Sequence, residues 1–133
     1  MMEHAPTYTL VFIALLALMS LPMAIAVGLR RAKTGIMMLA GDDEDLLRRI
    51  RAHGNFIEYV PLALLALAGA EMAGAAPWLL ITCGLVLMAA RLIHYIGFRH
   101  NPNGPARLIG TLMTTLTILA LSVAILLRMA GLV

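Results

Sequence analysis

The stretch Tyr8–Leu29, YTLVFIALLALMSLPMAIAVGL, contains 22 residues and no charged side chain. Since a helix needs about 20 apolar residues to cross the hydrocarbon core of a bilayer, this stretch is predicted to span a membrane. The composition of the chain agrees, because 62% of its 133 residues are hydrophobic and 13% are charged. A soluble domain has about 25% charged residues. The sequence therefore predicts an integral membrane protein.

Three further segments are predicted to cross the membrane. Pro77 and Pro105 lie near the start of two of them, and proline is favoured in the first turn of a helix. The third contains Asn55 and Glu58, which a spanning helix tolerates where protein rather than lipid faces them. The predicted fold class is all-α, a bundle of four transmembrane helices in a single domain, residues 1–133, with spans at about residues 8–29, 51–71, 77–98 and 106–128.

The basic residues predict the orientation of the bundle. Nine of the ten Lys and Arg residues lie near the connections 30–55 and 91–107, and Arg128 alone lies on the other side. By the positive-inside rule these connections face the cytoplasm and both termini face away from it. Ala24-Ile25-Ala26 resembles a signal-peptide cleavage site, but the basic residues follow the apolar run rather than precede it, which favours a retained helix.

Several classes of function are disfavoured. The net charge of +3 does not indicate a nucleic-acid partner, because the basic residues are not interleaved with aromatic residues on a soluble face. The single cysteine, Cys83, excludes an internal disulfide, and no Cys/His cluster has the spacing of a structural zinc site. The acidic run 42–45 has a structural interpretation: one aspartate N-caps the second helix, and the others oppose the positive end of its dipole.

Polar side chains recur at helical spacing near the cytoplasmic ends of the second and third helices. The first stripe is Arg51, Asn55 and Glu58, and the second is Arg91, His94, Tyr95 and Phe98. Isolated charges inside a membrane are unfavourable, so these stripes predict a polar pocket between the helices. Because the arginines outnumber Glu58, the pocket suits an anionic ligand that also carries an amine. Alternatively, Glu58 pairs with Arg51 or Arg91 and only joins the helices.

Arg107 gives a separate indication of an anion. It is predicted in the first turn of the fourth helix, where the macrodipole disfavours a cation by about 0.3–1 kcal/mol. An arginine beside a helix N-terminus makes a site for a carboxylate or a thiolate. The alternative is that Arg107 extends to lipid headgroups and only fixes the topology.

Residues 51–58 read RAHGNFIE and are followed by Pro61, and the later pattern Arg91-x-x-His94-x-x-Gly97-Phe98 is followed after nine residues by Arg107. In order and spacing these motifs resemble the MAPEG family, membrane-associated proteins in eicosanoid and glutathione metabolism. The first motif resembles the helix 2 signature of that family, and the second resembles its helix 3 and the entry to helix 4. The stretch 50–98 is most similar to bacterial inner-membrane members.

The resemblance implies a homotrimer of four-helix bundles that binds glutathione between neighbouring subunits near the cytoplasmic face. The implied ligands of glutathione are Arg30, Arg51, Asn55, Glu58, Arg91, His94 and Tyr95. Glu58 would receive the amino group and the arginines the carboxylates, while Arg107 would act as the catalytic residue that stabilises the thiolate. The alignment at the end of the first helix leaves Arg31 as an alternative to Arg30.

The implied function is that of a glutathione transferase or peroxidase, with glutathione as co-substrate. A lipophilic substrate would enter from the bilayer along the first and fourth helices. Phe98 departs from the tyrosine of several family enzymes, and Tyr95, almost one turn earlier, is a candidate replacement. This departure keeps a second hypothesis open, a non-catalytic membrane protein whose pocket binds an anionic metabolite or lipid headgroup. A transporter is a weaker third hypothesis, because no helix is broken at the bilayer midplane.

Overall fold

The computed structural model describes residues 5–132, which form an all-α bundle. Its helices are α1 (Thr7–Thr34), α2 (Glu44–Met72), α3 (Pro77–His100) and α4 (Pro105–Met129). All four are long and apolar enough to cross a membrane, so the predicted fold class is confirmed. Each helix extends beyond its predicted span, and α2 the most, because its polar first two turns at residues 44–50 continue the helix without a break.

The helix ends follow local signals in the sequence. Asp43 N-caps α2, since its Oδ1 accepts a hydrogen bond from the Leu46 amide at 3.0 Å. Gly35 closes α1 in the left-handed conformation (φ +73°), which a residue without Cβ adopts at little cost. Pro77 and Pro105 occupy the first positions of α3 and α4, where no intrahelical N–H partner is lost.

Helices α2 and α3 form the centre of the bundle. α1 packs on α2 and α3, and α4 packs on the same two helices, whereas no Cα atom of α1 approaches one of α4 within 8 Å among residues 5–132. Two apolar clusters fill the interior, one around Phe12, Leu67, Leu80 and Leu121 and the other around Leu16, Phe56, Val60 and Leu87.

Small residues bring α3 and α4 close together at one end of the bundle. A Cβ on Gly110 would lie 2.6 Å from the Ala90 carbonyl oxygen, and one on Gly97 would lie 2.5 Å from the Ala106 Cβ. These glycines allow the backbones to approach, as small residues do between membrane helices. We call the end that holds the α1–α2 and α3–α4 connections the site end, because the polar residues described below lie there.

Candidate functional site

Arg91 lies at the centre of the site end and links three helices. Its side chain is 1% exposed. Nη1 donates to Asn55 Oδ1 at 2.8 Å, and Nη2 donates to the Gly110 carbonyl oxygen at 3.0 Å. The guanidinium also lies over the Tyr59 ring at 5.8 Å, while Nε has no hydrogen-bond partner. Within residues 5–132, Arg91 is thus held only by neutral acceptors and an aromatic face.

A cavity of about 250 Å³ opens beside Arg91. It is lined by Arg51, Asn55, His94, Phe98, Arg107 and Thr111. Because Arg91 occupies Asn55 Oδ1, the Asn55 amide is left to present its NH₂ group as a donor. Arg51 and Arg107 add two exposed guanidinium groups, and the lining contains no carboxylate. The cavity therefore suits an anion, and we call it the anion cavity.

Phe98 separates two of the cavity's polar side chains. Its ring centroid lies 5.8 Å from that of His94, with the planes 23° apart, and the Arg107 Cζ lies 5.8 Å from the Phe98 centroid on a cation–π contact. Arg107 is in the first turn of α4, so its charge adds to the positive end of that helix dipole. The Arg107 guanidinium and the positive end of the α4 dipole therefore lie together, at the place where an anionic atom would bind.

Four predicted ligands, Arg30, Glu58, Arg91 and Tyr95, lie outside this cavity lining. Glu58 is exposed on α2 and makes no ion pair within residues 5–132, so the alternative pairing with Arg51 or Arg91 is not formed. Tyr95 is half-buried and packs on the apolar cluster around Leu16. Arg30 forms an ion pair with Asp43 instead. The cavity brings together Arg51, Asn55, His94 and Arg107, with Arg91 directly behind Asn55.

Arg30 belongs to a second polar group, which sequence reasoning did not anticipate. This acidic cluster consists of Asp43 and Asp45 with Arg30, Arg49 and Arg99. Arg30 donates Nε and Nη2 to Asp43 at 2.9 and 3.1 Å. Asp45 accepts from Arg49 at 2.9 Å and from Arg99 at 2.8 Å. The i,i+4 spacing of Asp45 and Arg49 was a visible signal, whereas the contact with Arg99 joins helices far apart in sequence.

Asp43 is the member of the acidic cluster that lies outside the helices. The Arg30 guanidinium, which hydrogen-bonds the carboxylate, and the Leu46 amide together hold the pKa of Asp43 below its usual value. Both partners favour the ionised form, and the Leu46 contact is also the N-cap of α2. One carboxylate therefore ties the end of α1 to the start of α2.

Glu71 also joins α2 to α1, at the opposite end of the bundle. Its Oε1 accepts from the Tyr8 amide at 2.8 Å, and its Oε2 accepts from the Thr9 amide at 2.8 Å and the Thr9 hydroxyl at 2.7 Å. These bonds satisfy free N–H groups in the first turn of α1, whose N-cap Pro6 offers no side-chain acceptor. The cap comes from a residue 62 positions away from Thr9, so no local pattern indicated it.

Two further cavities flank the site. One, of about 250 Å³, shares Arg51 and Phe98 with the anion cavity and is otherwise lined by Glu44, Leu47, Arg48 and Pro102. The other is an apolar groove of about 240 Å³ between α1 and α2, lined by residues that include Leu16, Ser20, Phe56 and Pro61. The groove is open to the surface that lipid would cover, so an apolar molecule suits it.

The chain matches one protein family over nearly its whole length and two curated relatives over about half of it. The sequence model of the MAPEG family matches residues 9–127. Inner membrane protein YecN of Escherichia coli strain K12 is 46% identical over 61 residues, which are 46% of this chain and 47% of the relative, and YecN from a second Escherichia coli strain matches equally. The aligned part spans about half the length of these curated relatives. With four spanning helices and a family match that extends from the first to the last of them, the chain belongs to the MAPEG family.

Proposed function

We propose that this protein binds glutathione in the anion cavity and acts as a glutathione transferase or peroxidase on lipophilic substrates. The observation that supports this most directly is a cavity flanked by Arg51 and Arg107 with no carboxylate in its lining. Glutathione carries two carboxylates, one ammonium and one thiol. The arginines would bind the carboxylates, Asn55 and His94 would contact the peptide, and Arg107 would lie at the sulfur.

Arg107 is the proposed catalytic residue because its charge and the α4 dipole favour a thiolate over a thiol. Lowering a thiol pKa from about 8.5 by one or two units requires about 1.4–2.7 kcal/mol of preferential thiolate stabilisation. In a transferase the thiolate forms a carbon–sulfur bond and the electrophile loses its leaving group or gains a proton. In a peroxidase two glutathione molecules form a disulfide, and the hydroperoxide is reduced to an alcohol and water.

Glu58 supports the proposed homotrimer. An exposed carboxylate on a membrane-spanning segment of α2 is unfavourable against lipid, so a second protomer is expected to cover it. At such an interface Glu58 would bind the ammonium group of glutathione, and Arg91 would support the site through Asn55. Arg30 and Tyr95 remain proposed ligands. Arg30 would have to exchange its bonds with Asp43 for a ligand carboxylate.

The lipophilic substrate is proposed to enter from the bilayer. The apolar groove beside α1 opens toward lipid and ends at Phe56, one residue after Asn55 of the anion cavity. Because the backbones of α1 and α4 stay more than 8 Å apart within one protomer, the proposed entry path along both helices would lie between neighbouring protomers. Lipids of the bilayer are therefore partners of the same surface.

The proposed location is the bacterial inner membrane, with both termini on the non-cytoplasmic side. The name of the YecN relatives and the concentration of basic residues at the site end support it. A reporter that is active only outside the cytoplasm, fused after Val133, is expected to be active, and the same reporter inserted after Asn103 is expected to be silent. The reverse pattern would contradict the orientation without affecting the glutathione proposal.

Phe98 favours a second candidate, a non-catalytic protein that binds an anionic metabolite. Because residue 98 is a phenylalanine, the ring on which Arg107 stacks has no phenol hydroxyl to contact a thiol. The two functions differ in the ionisation of bound glutathione. An enzyme is expected to bind it as a thiolate near neutral pH, whereas a simple binding protein leaves the thiol protonated.

The ultraviolet absorbance of the bound thiolate, titrated against pH, separates the two candidates. In the wild type we expect a thiol pKa about one to two units below that of free glutathione, and in Arg107→Ala a return toward about 8.5. Arg128→Ala removes an arginine from the last turn of the same helix and is expected to leave the thiol pKa unchanged. Equal thiol pKa values in the wild type and Arg107→Ala would contradict a catalytic role for Arg107.

A further inference from the structure

The connection between α1 and α2 presents three consecutive long apolar side chains outside any helix. Met37, Met38 and Leu39 are 70%, 82% and 83% exposed. We call residues 36–39 the apolar loop. Apolar side chains clustered in this way on a surface indicate a partner, because their exposure to water is unfavourable.

The apolar loop is fastened against the end of α1. Arg31 Nη1 donates to the carbonyl oxygens of Ile36 and Leu39, each at 3.0 Å. The Asp43 amide donates to the Ala40 carbonyl oxygen at 3.1 Å, and Leu39 adopts a positive φ of 54°. The bonds to Arg31 satisfy the backbone at both ends of the loop, so its side chains can leave water without unpaired carbonyls at those positions.

The loop lies at the depth where the hydrocarbon core ends. Arg31 is two residues beyond Leu29, the last residue of the first uncharged run, which is an axial rise of about 3 Å. Because both ends of the loop contact the Arg31 guanidinium, the loop folds back to this level instead of extending away from the bundle. Its exposed side chains therefore lie beside the membrane surface.

The charges around the loop identify the partner. Lys33 is exposed and makes no ion pair within residues 5–132, and it lies three residues before the first residue of the loop. Among the acidic residues that follow, Asp43 is bound by Arg30, Glu44 by Arg48, and Asp45 by Arg49 and Arg99, while Asp42 is exposed and has no ion pair within residues 5–132. A loop with apolar side chains and a free lysine is complementary to anionic phospholipid, whose acyl chains and phosphate meet at this depth.

We infer that the apolar loop inserts into the interfacial layer of the same bilayer and that Lys33 binds the phosphate of an anionic phospholipid there. Met37, Met38 and Leu39 lie among the first methylenes of the acyl chains. The loop is then a shallow anchor that fixes the depth of the site end. This inference does not depend on glutathione binding.

The test places an environment-sensitive bimane label on the loop. Met38→Cys in a Cys83→Ala background gives one labelling site, and Asn103→Cys, exposed in the α3–α4 connection at the same end, gives the matched control. Both proteins are reconstituted in phosphatidylcholine nanodiscs with phosphatidylglycerol. We expect lipids spin-labelled near the headgroup to quench the label at position 38 several-fold more than the label at 103, and aqueous iodide to quench it several-fold less. Equal iodide quenching at the two positions would overturn the inference.

The same label distinguishes lipid from protein and tests the lysine. Protection of position 38 from both quenchers would show that another protein surface covers the loop, and would also overturn the inference. Replacing phosphatidylglycerol by phosphatidylcholine is expected to reduce lipid quenching at position 38, and Lys33→Gln is expected to remove that dependence. A dependence that persists in Lys33→Gln would contradict the role of Lys33.

Discussion

Two groups of arginines lie side by side at the site end, and they differ in their counter-ions. In the acidic cluster Arg30, Arg49 and Arg99 each lie within 2.9 Å of a carboxylate oxygen of Asp43 or Asp45. At the anion cavity Arg51, Arg91 and Arg107 have no carboxylate within ion-pair distance among residues 5–132. Every arginine of the first group has a carboxylate partner, and the group joins α1, α2 and α3. In the proposed function, a bound anion would supply the counter-ion that the second group lacks.

Neighbouring residues on α3 show how close the two groups are. Phe98 lines the anion cavity, whereas Arg99 donates to Asp45 in the acidic cluster. Successive residues of a helix point about 100° apart, so one turn of α3 serves both groups. A buried arginine without a counter-ion is unfavourable in a membrane, and Arg91 is nonetheless kept in that state. In the proposed function, an anion bound in the adjacent cavity would offset part of that cost.

The largest expected contrast is between one arginine from each group. Arg107→Ala is expected to lower turnover of a glutathione conjugation by about 10²–10³-fold, the typical effect of losing a group that stabilises a developing anion. Arg99→Ala is expected to lower the unfolding temperature and to leave the turnover of the folded protein unchanged. Conjugation rates and thermal unfolding of both variants in detergent are the measurements. A comparable loss of turnover in Arg99→Ala would remove the distinction between the groups.

The next effect concerns the close approach of α3 and α4. Gly110→Ala places a Cβ 2.6 Å from the Ala90 carbonyl oxygen and displaces the Gly110 carbonyl that accepts from Arg91. We expect a loss of about 1–3 kcal/mol in the free energy of unfolding, together with weaker glutathione binding. Gly28→Ala, in α1 with nothing near its Cβ, is the control and is expected to be neutral or slightly stabilising. Unfolding by denaturant measures both, and equal stabilities would contradict the packing.

A smaller change in turnover is expected when Phe98 is substituted. Phe98→Tyr adds a hydroxyl between His94 and Arg107, at the position where several family enzymes have a tyrosine. If Arg107 holds a thiolate, the hydroxyl adds a second donor and turnover rises several-fold, with the glutathione dissociation constant little changed. Tyr95→Phe removes the phenol hydroxyl of the candidate replacement and is the comparison. Turnover that falls in Tyr95→Phe and is unchanged in Phe98→Tyr would identify Tyr95 as the thiol partner instead.

The smallest effect is a pH dependence of stability in the acidic cluster. Because the folded protein holds the pKa of Asp43 below its unfolded value, this carboxylate stabilises the fold above about pH 4, and the contribution is lost as pH falls through the lower folded pKa. Asp43→Asn is therefore expected to unfold at a lower temperature than the wild type near neutral pH, with a difference that shrinks in acid. Asp42→Asn, exposed next to it, should show no difference at either pH, and a pH-independent difference for Asp43→Asn would refute the ion pair.

Local signals predicted much of the fold. The uncharged runs indicated four helices, Pro77 and Pro105 indicated two starts, and the acidic run indicated the cap that Asp43 provides. The helical spacing of polar residues indicated that α2 and α3 would share a polar pocket, and Asn55 and His94 do line one cavity. These features depend on residues within about two turns of each other, which periodicity describes well.

Contacts between residues that lie far apart in the sequence were not predicted. Arg99 donates a hydrogen bond to Asp45, which is 54 residues away in the sequence. Thr9 donates one to Glu71, which is 62 residues away. Arg30 was predicted to bind a ligand, a role that stays a prediction, and its bidentate contact with Asp43 was not foreseen because both residues also fitted simpler local roles. Charge pairing in a bundle depends on which helix faces are adjacent, and one sequence alone does not specify that.

The central claim is that the unpaired arginines bind glutathione, and calorimetry on detergent-purified protein tests it most directly. We expect wild-type protein to bind glutathione and Glu58→Gln to bind it much more weakly, because the ammonium group loses its carboxylate. Glu44→Gln removes another exposed carboxylate of α2, one that pairs with Arg48 and has no proposed contact with glutathione, and should bind like the wild type. The absence of binding to wild-type protein at millimolar glutathione would contradict the account and leave the arginines to another anion.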